Sequence, residues 1–312
     1  MKILVFGAGV IGSYYATKLY QSKIDVTILA RGEKSKNIKE QGVIVEDFFT
    51  HQQTVSKIRV IDKPNNEAYD LIIVAVQMIH IDSVLSALSE FKNTTSFLFI
   101  GNNVNGFKNH SKQLGHDRIL AGFGAIGGKR DGHKVLFADA DPKKPNKKIP
   151  LVLGNVNDFS DQKFEKIKRL FESANIKVDV VDDIDGWLKT HVAMILGLAS
   201  ATYKKENNMK HLAADKELIK LIVKALRESM NVLKSLGVTI VPKRNRYLQF
   251  FPDFFLEFIF RKLLCSEYAE IALAGHAEAA RTEMRAIADG FLVLCQKSKV
   301  DYGTFKKLSS YI

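Results

Sequence analysis

The sequence predicts an α/β fold whose strands lie within residues 1–183 and whose remainder, residues 184–312, is helical. Three observations predict it. The apolar run Lys2–Phe6 leads straight into Gly7-Ala8-Gly9-Val10-Ile11-Gly12, and the helix-like Ser13–Leu19 follows. Leu71–Val76 and Ser96–Ile100 are almost wholly apolar, as suits strands buried on both faces of a parallel sheet. After Asp185 strand-like runs give way to three-to-four residue apolar spacing. The glycine turn between a strand and a helix makes the first domain a Rossmann-type dinucleotide-binding domain, and an all-α C-terminal domain follows it.

The elements follow in order. Gly7 permits the tight turn, Gly9 lets a pyrophosphate approach the backbone, and Gly12 lets the helix pack close to the sheet. The phosphates would rest on the free N–H groups at the helix start, Ala8, Val10 and Ile11 included, where the helix dipole favours negative charge. Asp25–Leu29 is the second strand, and Val43–Asp47 and Val55–Val60 are short strands around a polar turn. Ile81–Phe91 has helical spacing, and a helix after Gly101-Asn102-Asn103 leads to strand Ile119–Phe123. Val135–Phe137 and Ile149–Leu153 flank a loop rich in Asp, Lys and Pro and read as an antiparallel hairpin. Helix Asp161–Ser173 and strand Val178–Val181 close the half, with the domain boundary near Val181–Asp185. Trp187–Tyr203, Asp215–Leu236, Phe254–Leu264 and His276–Lys297 read as helices, with breaks at Pro242 and Pro252.

The end of the second strand bears on the cofactor. An NAD-binding domain usually carries Asp or Glu there, to accept from the ribose 2′-OH. Here stand Ala30-Arg31-Gly32, with Lys34 and Lys36 behind. A guanidinium pairs with a 2′-phosphate that a carboxylate would repel, so the expected cofactor is NADP(H). Arg31 also reads as an ordinary surface arginine.

Composition narrows the class. The chain has 312 residues and a formal net charge of +12, enough length for two cores and enough charge to attract anionic ligands. The cations are scattered and no nucleic-acid motif accompanies them, so the expected partner is a small anionic molecule rather than nucleic acid. No apolar run reaches the ~20 residues of a membrane span, and no secretory leader precedes the first strand, so a cytoplasmic location is expected. Cys265 and Cys295 are expected as buried free thiols. The histidines show no His-x-x-x-His spacing and the cysteines no Cys-x-x-Cys, so no metal is expected. The aromatic run from Tyr247 to Phe260 admits a helix buried in the α-domain or a subunit interface, a lid over the substrate, or a membrane-surface anchor.

The GAGVIG turn, Arg31, Asn102 after a buried strand, Trp187-Leu188-Lys189 opening the helical half and the late Thr282-Glu283 together resemble the ketopantoate reductase (2-dehydropantoate 2-reductase) family. The resemblance spans both domains. It implies NADPH-dependent reduction of a 2-keto acid to a 2-hydroxy acid, ketopantoate to pantoate in pantothenate biosynthesis, in a site between the domains. Lys189 matches the family's proton-donating lysine and Glu283 its late catalytic glutamate. Asn102 and Asn207 match substrate contacts. Gly7 to Gly12, Arg31, Gln77 and Asn102 match the cofactor contacts. Homodimerisation is left open. On their own settings these residues also read plainly: Lys189 as a solvated helix lysine, Glu283 as a surface glutamate beside Arg281 or Arg285, Asn102 and Asn207 as turn residues.

The chain also departs from the family. Ala193 and Gly197 stand where the family has asparagines, Gln77 where it has a lysine and Asn103 where it has a glycine; its serine falls near Ile271-Ala272. A pocket lined by Ala193, Gly197 and Ile271 is expected to take a more apolar 2-keto acid or other carbonyl compound. A non-catalytic NADP-binding sensor is the alternative from another class.

Overall fold

The eight-stranded sheet at the heart of the N-terminal half is a computed structural model's largest feature; the structure describes the chain except residues 142, 143, 270–272 and 274, and its side chains outside 141–146, 268, 270–272 and 274–279. The chain runs β1 (Lys2–Phe6), α1 (Val10–Gln21), β2 (Asp25–Leu29), α2 (Gly32–Gln41), β3 (Val43–Asp47), β4 (Gln53–Ser56), β5 (Arg59–Ile61) and β6 (Leu71–Val74). It continues through α3 (Ile81–Ser89), β7 (Phe97–Ile100), α4 (Lys108–Leu114), β8 (Ile119–Gly124), β9 (Gly127–Asp131) and β10 (Lys134–Ala138). The half ends with β11 (Ala140–Asp141), β12 (Lys144–Lys148), β13 (Leu151–Asn155), α5 (Asp161–Ser173) and β14 (Val178–Val180).

The large sheet has the order β14-β13-β8-β7-β6-β1-β2-β5. The strands from β5 to β8 are parallel, β13 runs antiparallel to β8, and β14 follows β13 in parallel. β2 lies on one side of β1 and β6 on the other, so the winding reverses at β1; the carboxyl ends of strands at such a point form the crevice of doubly wound sheets. Parallel strands covered on both faces must be apolar throughout, and every residue of β6 and β7 is buried.

A second sheet, β4-β3-β10-β9, packs against α1, which explains why that helix is buried along nearly its whole length. Tyr14 meets Phe137 edge-on with centroids 5.0 Å apart, and its hydroxyl donates to Asp139 at 2.8 Å. Burial, then the Asp139 charge, pushes the Tyr14 phenol far above its ordinary pKa.

Two sequence expectations are corrected here. Val55–Val60 is not one strand: β4 pairs antiparallel with β3, whereas β5 crosses to the edge of the large sheet beside β2. Residues 135–137 and 149–153 are not hairpin partners. β10 pairs with β9 and β3, and β13 fills the slot beside β8. Local turn chemistry suggested the hairpin, but the sheets' open edges claimed the two strands separately.

The helices are α6 (Ile184–Lys204), α7 (Met209–Ala214), α8 (Lys216–Ser235), α9 (Asp253–Leu264), the short α10 (Glu267–Ala269), α11 (Gly275–Lys297) and α12 (Gly303–Ser309). A 3₁₀ segment, Lys243–Phe250, precedes α9, and α11 departs from helical geometry at Ala280. The Asp215 side chain caps α8 by accepting from Leu218 N–H at 2.9 Å. Buried Glu228 accepts from Phe305 N–H at 2.8 Å, tying α12 to α8. Cys295 is buried, which pushes its thiol up to about 12, but Cys265, expected buried, is exposed because it caps the solvent end of α9. The chain forms two compact units, Met1–Gly101 with Phe107–Ile184 and Asn102–Gly106 with Asp185–Ile312.

Candidate functional site

In the first unit the glycine turn has the shape a dinucleotide needs. Gly7 has φ +113°, and a Cβ there would stand 2.5 Å from the Ala75 carbonyl oxygen just past β6. A Cβ on Gly12 would stand 1.9 Å from the Gly7 carbonyl oxygen, so the first turn of α1 closes directly onto the loop. Gly9 differs: it is the N-cap of α1, in extended conformation, and a Cβ there would meet nothing within 4 Å. The space before the helix start is open, and the N–H groups of Val10 and Ile11 begin the helix beside it. Such a turn fits a pyrophosphate.

Cations gather next to it. Arg31 is exposed at the start of α2. The Arg130 guanidinium of β9 donates to the Ala8 carbonyl in the glycine turn. Arg130 lines a pocket of about 500 Å³ together with Ser13, Glu33, Lys34, Asn37 and His133. Burial holds the Arg130 guanidinium below its ordinary pKa; burial, then the Arg130 charge, does the same to the Lys34 ammonium. Two cations that depress themselves or each other favour an anion between them. Arg130 lies nearly a hundred residues after Arg31, in the Gly-Gly-Lys-Arg stretch of β9 that announces nothing locally, so sequence reasoning missed it. Gln77 is half-buried in the loop after β6, at the start of a 3₁₀ turn.

In the second unit the loop 102–106, the start of α6 and α11 come together. Lys189, half-buried, forms an ion pair and hydrogen bond with Asp185, one turn earlier on α6. The second Asp185 oxygen, Oδ1, is buried and accepts no hydrogen bond from the described residues; a Cβ on Gly106 would lie 3.6 Å from it. The loop is held by Asn103, whose Nδ2 donates to Gly106 O at 3.0 Å and whose Oδ1 accepts from Asn105 N–H at 2.9 Å. A Cβ on Gly290 of α11 would stand 2.5 Å from Val104 Cγ1, so that helix presses against the same loop. Asn102 Oδ1 is buried with no donor among the described residues. Two orphaned buried acceptors, in the loop and beside Lys189, fit a ligand that brings its own donors.

Glu283 lies two turns before Gly290 on α11 and is buried, not on the helix surface; its charge acts on buried Tyr203, whose phenol burial pushes up to about 12. Arg281 turns away from it, to the Ile312 carbonyl at 3.0 Å and over the Tyr203 ring. Asn207 has φ +62° in the turn after α6, and its Oδ1 is buried without a donor among the described residues. Asp185 could have been found in the sequence, since residues four apart share a helix face.

Ala193 and Gly197 are buried in the helical core, and a Cβ on Gly197 would already touch Ala225 of α8 at 3.5 Å. A longer side chain at 197 would push the two helices apart, which accounts for the glycine by packing. Ile271 lies outside the described residues. The aromatic run does not bury itself in the chain: of α9 only Leu256 and Leu264 are buried. Among the described residues no group of His, Cys, Asp or Glu could hold a metal ion, and no helix is long and apolar enough to cross a membrane.

The fold is a Rossmann-type α/β unit followed by a helical C-terminal half. Residues 3–143 match the family model for ketopantoate reductase PanE/ApbA. The 2-dehydropantoate 2-reductase of Pyrococcus abyssi is 23% identical over 250 residues, covering 80% of this chain and 79% of that one. Among solved structures, D-mandelate dehydrogenase with NADH and anilino(oxo)acetate superposes with a TM-score of 0.81 at 16% identity, covering 100% of this chain and 97% of that one. The 2-dehydropantoate 2-reductase of Geobacter metallireducens GS-15 superposes at 0.80 with 18% identity, covering 100% and 98%. The predicted α/β fold is the observed one.

Proposed function

We propose that the chain is an NADPH-dependent reductase of a 2-keto acid, with 2-dehydropantoate as the family's substrate and the first to test. The observation that carries this reading is the Lys189–Asp185 pair beside two orphaned acceptors, in a chain that also holds an open, cation-flanked glycine turn. Gly7 to Gly12 would hold the pyrophosphate, and Arg31, with Lys34 and Arg130, the 2′-phosphate. Gln77 and Asn102 would complete the cofactor contacts.

NADPH, when bound, would supply the hydride that the keto carbon takes up. Lys189 stabilises the negative charge growing on the carbonyl oxygen and then gives it the Nζ proton, leaving a 2-hydroxy acid. Asp185 fixes the position of the Lys189 ammonium through the i, i+4 contact. Glu283 and Asn207 would position the substrate, as acceptors for its hydroxyl groups. With Ala193 and Gly197 committed to packing, two amides that would orient a polyhydroxylated acid are missing, which supports a simpler 2-keto acid as the alternative substrate.

The test follows reduced nicotinamide absorbance with purified protein, NADPH or NADH, and a panel of 2-keto acids including 2-dehydropantoate. Turnover with at least one acid, faster with NADPH, is expected. Tight NADPH binding without turnover on any acid would replace this reading with that of a dinucleotide-binding sensor.

A further inference from the structure

Most backbone groups of the glycine turn have a partner in the chain, and one that faces the open space does not. Gly7 N–H donates to Leu29 O at 3.2 Å, and Gly9 O accepts from Ser13 N–H at 2.9 Å, opening α1. Ala8 O accepts from the Arg130 guanidinium. Among the described residues the Gly9 N–H has no acceptor. The Ala8–Gly9 peptide bond is trans, so its C=O and N–H point opposite ways. Holding the Ala8 oxygen toward Arg130 therefore turns the Gly9 N–H away from that side chain, free to donate to a ligand.

This peptide needs a hold. Gly9 sits at φ −79°, and reversing the peptide plane before it would carry that φ to positive values. A residue with a Cβ resists such a reversal, whereas glycine admits both states. The reversed peptide would present a carbonyl oxygen to an anion in place of an N–H. Strand β9 supplies the hold. Gly128 and Arg130 stand two apart on it and so share one face. A Cβ on Gly128 would lie 2.5 Å from Val10 Cγ1, so this face rests directly on the first residue of α1. From there Arg130 reaches the Ala8 oxygen with one arm of its guanidinium, and the planar fork keeps further N–H groups for the pocket beside it. We propose that Arg130 is a positioning residue for the pyrophosphate: it fixes the Ala8–Gly9 peptide so that the Gly9 N–H is presented to the phosphates. The inference rests on the dinucleotide reading of the turn. It gives Arg130 a role toward NADH, which carries no 2′-phosphate, as well as toward NADPH.

The test is calorimetric titration of wild type and Arg130→Met with NADH and NADPH, in low and high salt, beside nitrogen–proton amide spectra of the free proteins. Methionine keeps an unbranched stem on β9, the outer strand of its sheet, so the variant should melt close to wild type. Its Kd for NADH should rise about tenfold in both salts, its Kd for NADPH should rise further, and its Gly9 amide resonance should move. An NADH affinity that stays at the wild-type value while NADPH weakens overturns the proposal and leaves Arg130 at the 2′-phosphate alone. So does a loss of NADH affinity that vanishes in high salt, because salt screens a bare charge effect. A Gly9 amide that does not move in the variant overturns it as well. Where NADH is too weak to titrate, the amide spectra decide. Should Arg130→Met fail to fold, wild type decides: NADPH should shift the Gly9 amide and slow its exchange with solvent, and an amide that NADPH leaves untouched overturns the proposal. A wild-type protein that binds neither dinucleotide removes this inference and the cofactor reading together, whereas the other refuting results leave the cofactor reading standing.

Discussion

Replacing Gly9 with alanine separates cofactor binding from folding. The Gly9 backbone, at φ −79° and ψ −168°, is one that alanine adopts freely, and the new Cβ meets nothing within 4 Å. Two small effects on stability oppose each other. Alanine is the poorer N-cap, and glycine the looser unfolded chain, each by about 0.5–1 kcal/mol. Thermal unfolding of the free protein should therefore stay close to wild type. The dinucleotide should not be so tolerant. The open space at Gly9 is where a pyrophosphate would approach, and a methyl group inserted into a close contact costs about 1–3 kcal/mol, or roughly 5- to 150-fold in Kd. Gly12→Ala is the contrast: its Cβ would lie 1.9 Å from the Gly7 carbonyl oxygen, so the helix start must move and the free protein loses stability too. Calorimetric titration with NADPH, beside melting curves of both free variants, measures the two effects. A Gly9→Ala protein that binds NADPH as tightly as wild type would refute the placement of the phosphates.

Three further outcomes follow. Arg31→Glu should turn preference from NADPH toward NADH by about tenfold or more, since it replaces a charge-assisted bond worth ~1.5–3 kcal/mol with repulsion; Arg130→Ala should shift the same ratio in the same direction, and an unchanged ratio in both would remove the 2′-phosphate site. Asp185→Asn should lower kcat while leaving NADPH affinity intact, with partial recovery in Asp185→Glu; loss of cofactor binding instead would mark Asp185 as structural. His110, buried against Phe99 and Phe107, has its pKa lowered to about 4, chiefly by burial. Its folded pKa lies below the unfolded ~6.5, so the stability it holds is intact above that pH and lost as pH falls from ~6.5 toward 4, by about 2 kcal/mol at pH ~5. Melting temperature against pH should fall over that window in wild type and less steeply in His110→Phe.

Legibility in the sequence followed the range of the interactions. β1, α1 and β2 are set by local signals, a five-residue apolar run and glycines at fixed spacing, and they lie where the sequence places them. The long helices were readable from their periodicity for the same reason. β10 and β13 were not, because their partners are strands far away in the chain. Arg130 escaped for a like reason: only the second sheet's packing on α1 carries it to the Ala8 carbonyl. Ala193 and Gly197 were read as missing polar groups in a pocket, when the constraint on Gly197 is the crossing of α8, which a single sequence does not display. The aromatic run was visible as composition, but helical phase alone could not tell which of its rings face inward.

The central claim is that this chain passes hydride from NADPH to a 2-keto acid with Lys189 as proton donor. The most direct measurement is NADPH oxidation by wild type and Lys189→Ala across the 2-keto acid panel, with NADPH affinity titrated in both. The account predicts turnover by wild type, its loss in Lys189→Ala, and equal cofactor binding by the two proteins. A Lys189→Ala protein that turns over as wild type does would contradict it.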